Sequence, residues 1–181
     1  MREDLLIRGA ELLEADAAKP DGIQFDLATW VKPSIRQEGA DIYAFATVPE
    51  EKPPISCATS ACAMGLFCLS GAFEEEGLSY HFAKHGGGYV LLPDLTDDTG
   101  YQRDGFLAAA YLFDISYEDA SYLFDPDNYP ADKLTGAQAE LYVADRIREY
   151  TLGNIDEPYH DDYRNRNHDD DSADDSDDLF T

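Results

Sequence analysis

Basic residues are scarce: 13 Lys and Arg stand against 38 Asp and Glu in 181 residues, a formal net charge of −25. A surface short of cations cannot neutralise phosphates, which weighs against direct binding to nucleic acid. No run of about 18 apolar residues occurs, so no helical membrane span is expected. The opening Met1-Arg2-Glu3-Asp4 carries acids and lacks an apolar signal core, so nothing marks the chain for secretion. Cysteine is limited to three residues, which without a signal fits a reducing cytoplasm. The expected location is therefore the cytoplasm. Nucleotide loops are missing as well, with neither Gly-x4-Gly-Lys nor Gly-x-Gly-x-x-Gly. His85-Gly86-Gly87-Gly88 is similar to an esterase oxyanion loop, but the matching Gly-x-Ser-x-Gly elbow is absent.

What is present suffices for a fold. Hydrophobic residues make up 44% and aromatics 12%, too much for a wholly disordered chain. The length suits one domain with a real core. The charge is unevenly placed. Residues 94–132 carry 10 acids and 1 base, and residues 155–181 carry 11 acids and 2 bases, whereas residues 133–154 balance at 3 and 3. The end, from Asn167 to Thr181, has no periodic apolar face, and its like charges repel. We expect a folded acidic domain over 1–154 and a disordered Asp-rich tail over 155–181.

Within the body, Leu5, Leu6, Ile7, Leu12 and Leu13 predict a helix over 3–18, stopped by Lys19-Pro20-Asp21-Gly22. The run 25–31 is ambiguous between a strand and an irregular packed segment. Residues 32–55, with four prolines, should be mostly loop around a short strand at 42–48. Thr59 or Ser60 is the expected cap of an apolar, hence buried, helix to about Phe73. Segments 78–83 and 89–92 flank Lys84-His85-Gly86-Gly87-Gly88 as a hairpin. Helices follow over 106–113 and, from a Ser116/Asp119 capping box, to Phe124. Asp125 to Pro130 breaks the chain. A last helix runs from Thr135 to about Leu152, with Leu141, Ile147 and Tyr150 as its apolar face and Gly153 as its stop. The expected class is α+β: a mainly helical single domain with a small β-hairpin element.

Three stretches resemble a group of uncharacterised phage and bacterial proteins. They are Phe25-Asp26-Leu27-Ala28-Thr29-Trp30, then Cys57-Ala58-Thr59-Ser60-Ala61-Cys62-Ala63-Met64-Gly65, and then residues 109–124. That group shares a Trp-ending segment, a Cys-Gly-Thr-x-x-Cys-x-x-Gly helix start and a Leu-Gly-Leu-(Ser/Thr)-x-x-x-Ala-x-x-Leu-Phe helical pair. The match covers about half of the body, in the same order. Here Ala58 replaces the usual Gly, and Phe113-Asp114-Ile115 replaces Leu-Gly-Leu. The resemblance implies a phage-like context, hence the cytoplasm of a host cell if the gene is carried by a phage, and no particular chemistry.

Two chemistries compete with plain packing. Cys57 and Cys62, with His81 and His85, are the residue types of a metal site or a cysteine nucleophile, Cys62 gaining from a helix N-terminus. The Cys-x4-Cys spacing is unlike the usual knuckle, and buried thiols in an apolar helix explain Cys57, Cys62 and Cys68 as well. Asp94, Asp97, Asp98 and Asp104 around Gly100 suggest a hard cation but lack the Asp-x-Asp-x-Asp-Gly register. A solvated acidic loop explains them. No cofactor is implied.

The acidity suggests a third role. A body of this size should span about 40 Å, a length over which duplex DNA carries about 23 phosphate charges. The body's −16 and the whole chain's −25 are of that order. Asp114, Glu118, Asp119, Asp125, Asp127 and Asp132 fall on or beside two short helices, which would hold carboxylates at fixed separations. Tyr111, Tyr117, Tyr122 and Tyr129 are interleaved and would add contact area. In the tail, Asp177, Asp178 and Phe180 resemble the acidic tips by which single-stranded-DNA-binding proteins recruit partners, though Thr181 follows the Phe here. The expected function is a non-enzymatic, phage-type accessory protein that binds a basic surface of a host or phage protein. That partner could itself bind nucleic acid, which would make this chain a DNA-mimicking inhibitor. A cysteine enzyme or metal protein centred on Cys57, Cys62 and His85 is one alternative. A structural or assembly component is another, and solubility alone is the plainest reading. No feature fixes the oligomeric state.

Overall fold

A computed structural model describes residues 1–19, 22–32, 59–85, 88–96 and 100–154. The expected loop over 32–55, save Lys32, its strand at 42–48 and the acidic tail over 155–181 lie outside these residues. Among them, the elements make a mainly helical α+β fold with two small three-stranded sheets.

Leu5, Leu6, Ala10 and Leu13 line one face of α1 (Glu3–Ala17) and are fully buried, as the helical spacing requires. The ambiguous run resolves into two strands, β1 (Gln24–Phe25) and β2 (Val31–Lys32), joined by a bend that Asp26 holds. Its carboxylate accepts from the Ala28 backbone at 3.1 Å and from the Thr29 hydroxyl at 2.7 Å. Both strands flank β3 (Ser60–Ala61), β1 in parallel and β2 antiparallel.

The expected helix cap is corrected here. Ser60 is in β3, and Cys62 is the N-cap of α2 (Ala63–Ser70). Thr59 and Ser60 fail as caps because the ladder claims their backbone. The Cys62 sulfur then takes the hydroxyl's usual part and accepts from the Gly65 N–H at 3.5 Å. Helix α2 is buried from Ala63 to Cys68, which matches its all-round apolar sequence. Gly71, left-handed at φ 70°, ends it earlier than Phe73.

The expected hairpin forms, with both strands longer than the 78–83 and 89–92 read from the sequence. β4 (Leu78–His85) pairs antiparallel with β5 (Gly88–Thr96), and a strand the sequence did not announce, β6 (Gln102–Asp104), extends the sheet. Then come α3 (Gly105–Phe113), α4 (Tyr117–Phe124), two 3-10 turns at Pro126–Asn128 and Ala131–Lys133, and α5 (Gly136–Thr151).

The core gathers around Phe67 of α2. Its ring centroid lies 5.3 Å from Phe73, 6.2 Å from Phe113 and 6.2 Å from Phe124. Tilted and edge-on aromatic pairs of this kind each add about 1 kcal/mol beyond area burial. The close fit leaves no room at two glycines. A β-carbon on Gly65 would sit 1.8 Å from the Trp30 carbonyl oxygen, and one on Gly9 would sit 2.9 Å from the Phe67 ring. Helix α5 packs along α1 through Ala139, Val143, Ala144 and Ile147, a stripe of which the expected face included only Ile147.

Candidate protein-binding face

Sequence Asp114–Asp132 traces α4 and its two flanking turns. Asp114 adopts a left-handed conformation at φ 51°, which Asp tolerates better than most residues and which turns the chain out of α3. Its exposed carboxylate pairs with the Met1 amino group at 3.0 Å. The Ser116 hydroxyl accepts from the Asp119 N–H at 2.9 Å, so the expected cap forms. The Asp119 carboxylate accepts from the Ser116 hydroxyl at 2.8 Å and hydrogen-bonds the Tyr150 hydroxyl, which helps push that phenol up to about 12 behind the larger effect of burial. Asp125 accepts from the Asp127 N–H at 3.0 Å and the Ser121 hydroxyl at 3.3 Å, shaping the first 3-10 turn. Three of these acids therefore have local work. Glu118, Asp127 and Asp132 are exposed and form no ion pair among the described residues. Asp177, Asp178 and Phe180 lie outside the described residues.

A cation from another helix anchors this segment through its backbone and rings. Arg146 of α5 donates to the Tyr122 carbonyl at 3.0 Å and the Asn128 carbonyl at 2.8 Å. Its guanidinium lies 3.7 Å from the Tyr129 ring centroid and 4.8 Å from that of Tyr122. It touches carbonyls and rings rather than the carboxylates of this segment. Tyr129 is corrected by this geometry: it is 7% exposed, its hydroxyl donates to the Leu123 carbonyl, and it serves the core instead of a contact surface. Tyr122 is half-buried against the same arginine.

Tyr111 and Tyr117 are exposed as expected, and the structure adds neighbours that the sequence reading missed. Tyr101, Leu107, Tyr111 and Tyr117 are 64%, 48%, 48% and 49% exposed. Arg103 bridges two of them, 5.0 Å from the Tyr101 ring and 4.0 Å from the Tyr111 ring. Leu107 and Tyr111 are one helical turn apart on α3. Tyr117 meets Phe106 edge-on at 6.4 Å, and Phe106 rests on Trp30 at 4.9 Å. An all-apolar helix such as Phe106–Phe113 reads as buried on every side, so nothing in its periodicity marks Leu107 as exposed.

The two described cysteines behave as core. Cys62 and Cys68 are buried free thiols. Burial pushes Cys62 up to about 12, outweighing the Gly65 and Met64 backbone N–H groups that favour its thiolate. Cys68 is raised for the same reason, and its thiol donates to the Ser79 carbonyl at 3.0 Å. The expected help from the helix terminus is present but smaller than the desolvation cost. His81 shares a hydrogen bond with Gln102 at 3.2 Å rather than with a thiol. Cys57 and the His85 side chain lie outside the described residues. Asp94 and Asp104 are cross-strand partners, Asp94 buried and Asp104 exposed, while Asp97 and Asp98 lie outside the described residues. Among the described residues, no three His, Cys, Asp or Glu side chains gather closely enough to hold a metal ion, and no helix is long and apolar enough to cross a membrane.

Comparison with protein-family models, with curated proteins and with solved structures finds no match for this chain.

Proposed function

We propose that the protein is a non-enzymatic accessory protein of phage type, which binds a basic surface on a host or phage protein. The observation that carries this reading is the fixed display of uncompensated carboxylates on α4 and the turns after it. Glu118 projects from a capped helix, and Asp127 and Asp132 project from 3-10 turns near the segment that Arg146 ties to α5. Carboxylates spaced by an ordered backbone attract a cationic surface with no backbone ordering cost at the moment of binding. Where that surface is one that binds DNA, the same display makes the protein a competitor of the duplex.

The test is a titration against purified core histones, a basic nucleic-acid-binding probe, at about 50 and 500 mM salt, where the screening length falls several-fold. Affinity should fall steeply with salt, and duplex DNA should compete. Salt-insensitive binding, or no binding at the lower salt, would reject the electrostatic mechanism. The cysteine alternative has less behind it, since Cys62 and Cys68 are buried and their thiolates disfavoured.

A further inference from the structure

We propose that the docking centre for this partner is the outward face of α3, where Tyr101, Leu107 and Tyr111 form an apolar patch with Tyr117 at its side. Its occupant is a protein surface with an apolar middle ringed by arginine and lysine. The inference rests on the function proposed above and assigns it a location. Interface energy concentrates in aromatic and arginine anchors at the middle of a patch, while rim charges mainly steer and select. No large hydrophobic residue within 118–132 is exposed, whereas α3 exposes Leu107 and Tyr111.

Several observations make this patch a built surface. Arg103 lies across both Tyr101 and Tyr111, so two exposed rings are held in place before any partner arrives. Such preorganisation lowers the entropy lost on binding. Tyr117 is held through Phe106 to Trp30. The rim is acidic. Asp104 precedes Leu107 by three residues and is exposed without making a cap bond, Asp114 follows Tyr111 by three, and Glu118 follows Tyr117.

The rim also selects the occupant. A second copy would bring the same acids against Asp104, Asp114 and Glu118, and like charges in contact are unfavourable. Nucleic acid would be repelled by the same groups. A basic rim on a different protein satisfies the acids while its apolar middle covers Leu107 and Tyr111.

The test uses the full-length, isotope-labelled chain, with a helical peptide of leucine and arginine as the amphipathic probe and poly-lysine as the purely cationic one. The amphipathic peptide should shift the amide signals of residues 101–117. L107S/Y111S, which alters only exposed side chains, should weaken that peptide by about tenfold or more and leave poly-lysine affinity unchanged. Unfolding of the variant is compared with the parent by circular dichroism. Equal affinity of parent and variant for the peptide overturns the α3 site while leaving the acidic reading in place. Shifts confined to residues 118–132 do the same. Failure of both probes to bind at low salt overturns both readings. Self-association of the parent that L107S/Y111S abolishes would make a second copy the occupant and overturn the one proposed.

Discussion

Glu140 is the residue with the least comfortable environment. It is 2% exposed at the contact of α5 with α1, and its Oε1 has no hydrogen-bond partner. Burial and the neighbouring Asp16 push it up to about 8, against a smaller opposing pull from Lys19. Asp16 is itself buried and already engaged, accepting from Lys19 Nζ at 3.0 Å and from the Ile23 N–H at 3.1 Å. The folded state therefore holds a proton on Glu140 that the unfolded chain releases near 4.5. Its contribution to stability is full below that point and is lost as the pH rises to about 8. Glu140→Gln keeps the shape and removes the titration. Urea unfolding should show a shallower decline from pH 5 to 9 in the variant than in the parent, and parallel declines would refute the assignment. Gly65 gives a second prediction at this scale. Gly65→Ala drives a methyl into the Trp30 carbonyl, and with no flexible side chain to yield, the loss of stability should be about 3 kcal/mol or more by chemical denaturation.

Among the elements, α4 and its turns depend on two devices that differ in how legible they were. The Ser116 cap was readable because a serine three residues before an acid, ahead of an apolar run, has a local mechanism. Ser116→Ala should cost about 1 kcal/mol in thermal unfolding. The Arg146 anchor was not readable. It joins residues 18 and 24 positions apart through backbone carbonyls, and carbonyls have no sequence signature. Arg146→Lys retains the charge but not the planar fork that reaches both carbonyls and stacks on Tyr129. It should destabilise the fold nearly as much as Arg146→Ala, by about 2 kcal/mol; full rescue by lysine would mean that only charge matters. The same contrast runs through the fold. Helices α1, α3 and α4 were placed within a residue or two of their bounds and the hairpin was located, though its second strand was read too short, because periodicity and turn residues are local. Strand β6 and the exchange of Ser60 for Cys62 as cap arise from ladders with distant strands, and local reasoning does not see those. Of the candidate site, the acids were visible and their exposure was not. Asp125 looks like Asp127 in the sequence, yet it is spent on capping the first 3-10 turn.

For the whole molecule, net charge sets the long-range field, and placement decides what that field can do. Equal numbers of acids removed from different places should have unequal effects on binding. Glu118, Asp127 and Asp132 belong to the proposed face, whereas Glu11, Asp145 and Glu149 are exposed on α1 and α5. The most direct measurement compares two full-length triple variants, E118Q/D127N/D132N and E11Q/D145N/E149Q, in titrations against core histones at low salt. If carboxylates fixed around α4 carry recognition, the first variant binds about tenfold more weakly than the second although both lose the same charge. Equal weakening of the two would mean that total charge alone governs binding, and the account of an acidic docking protein would be contradicted.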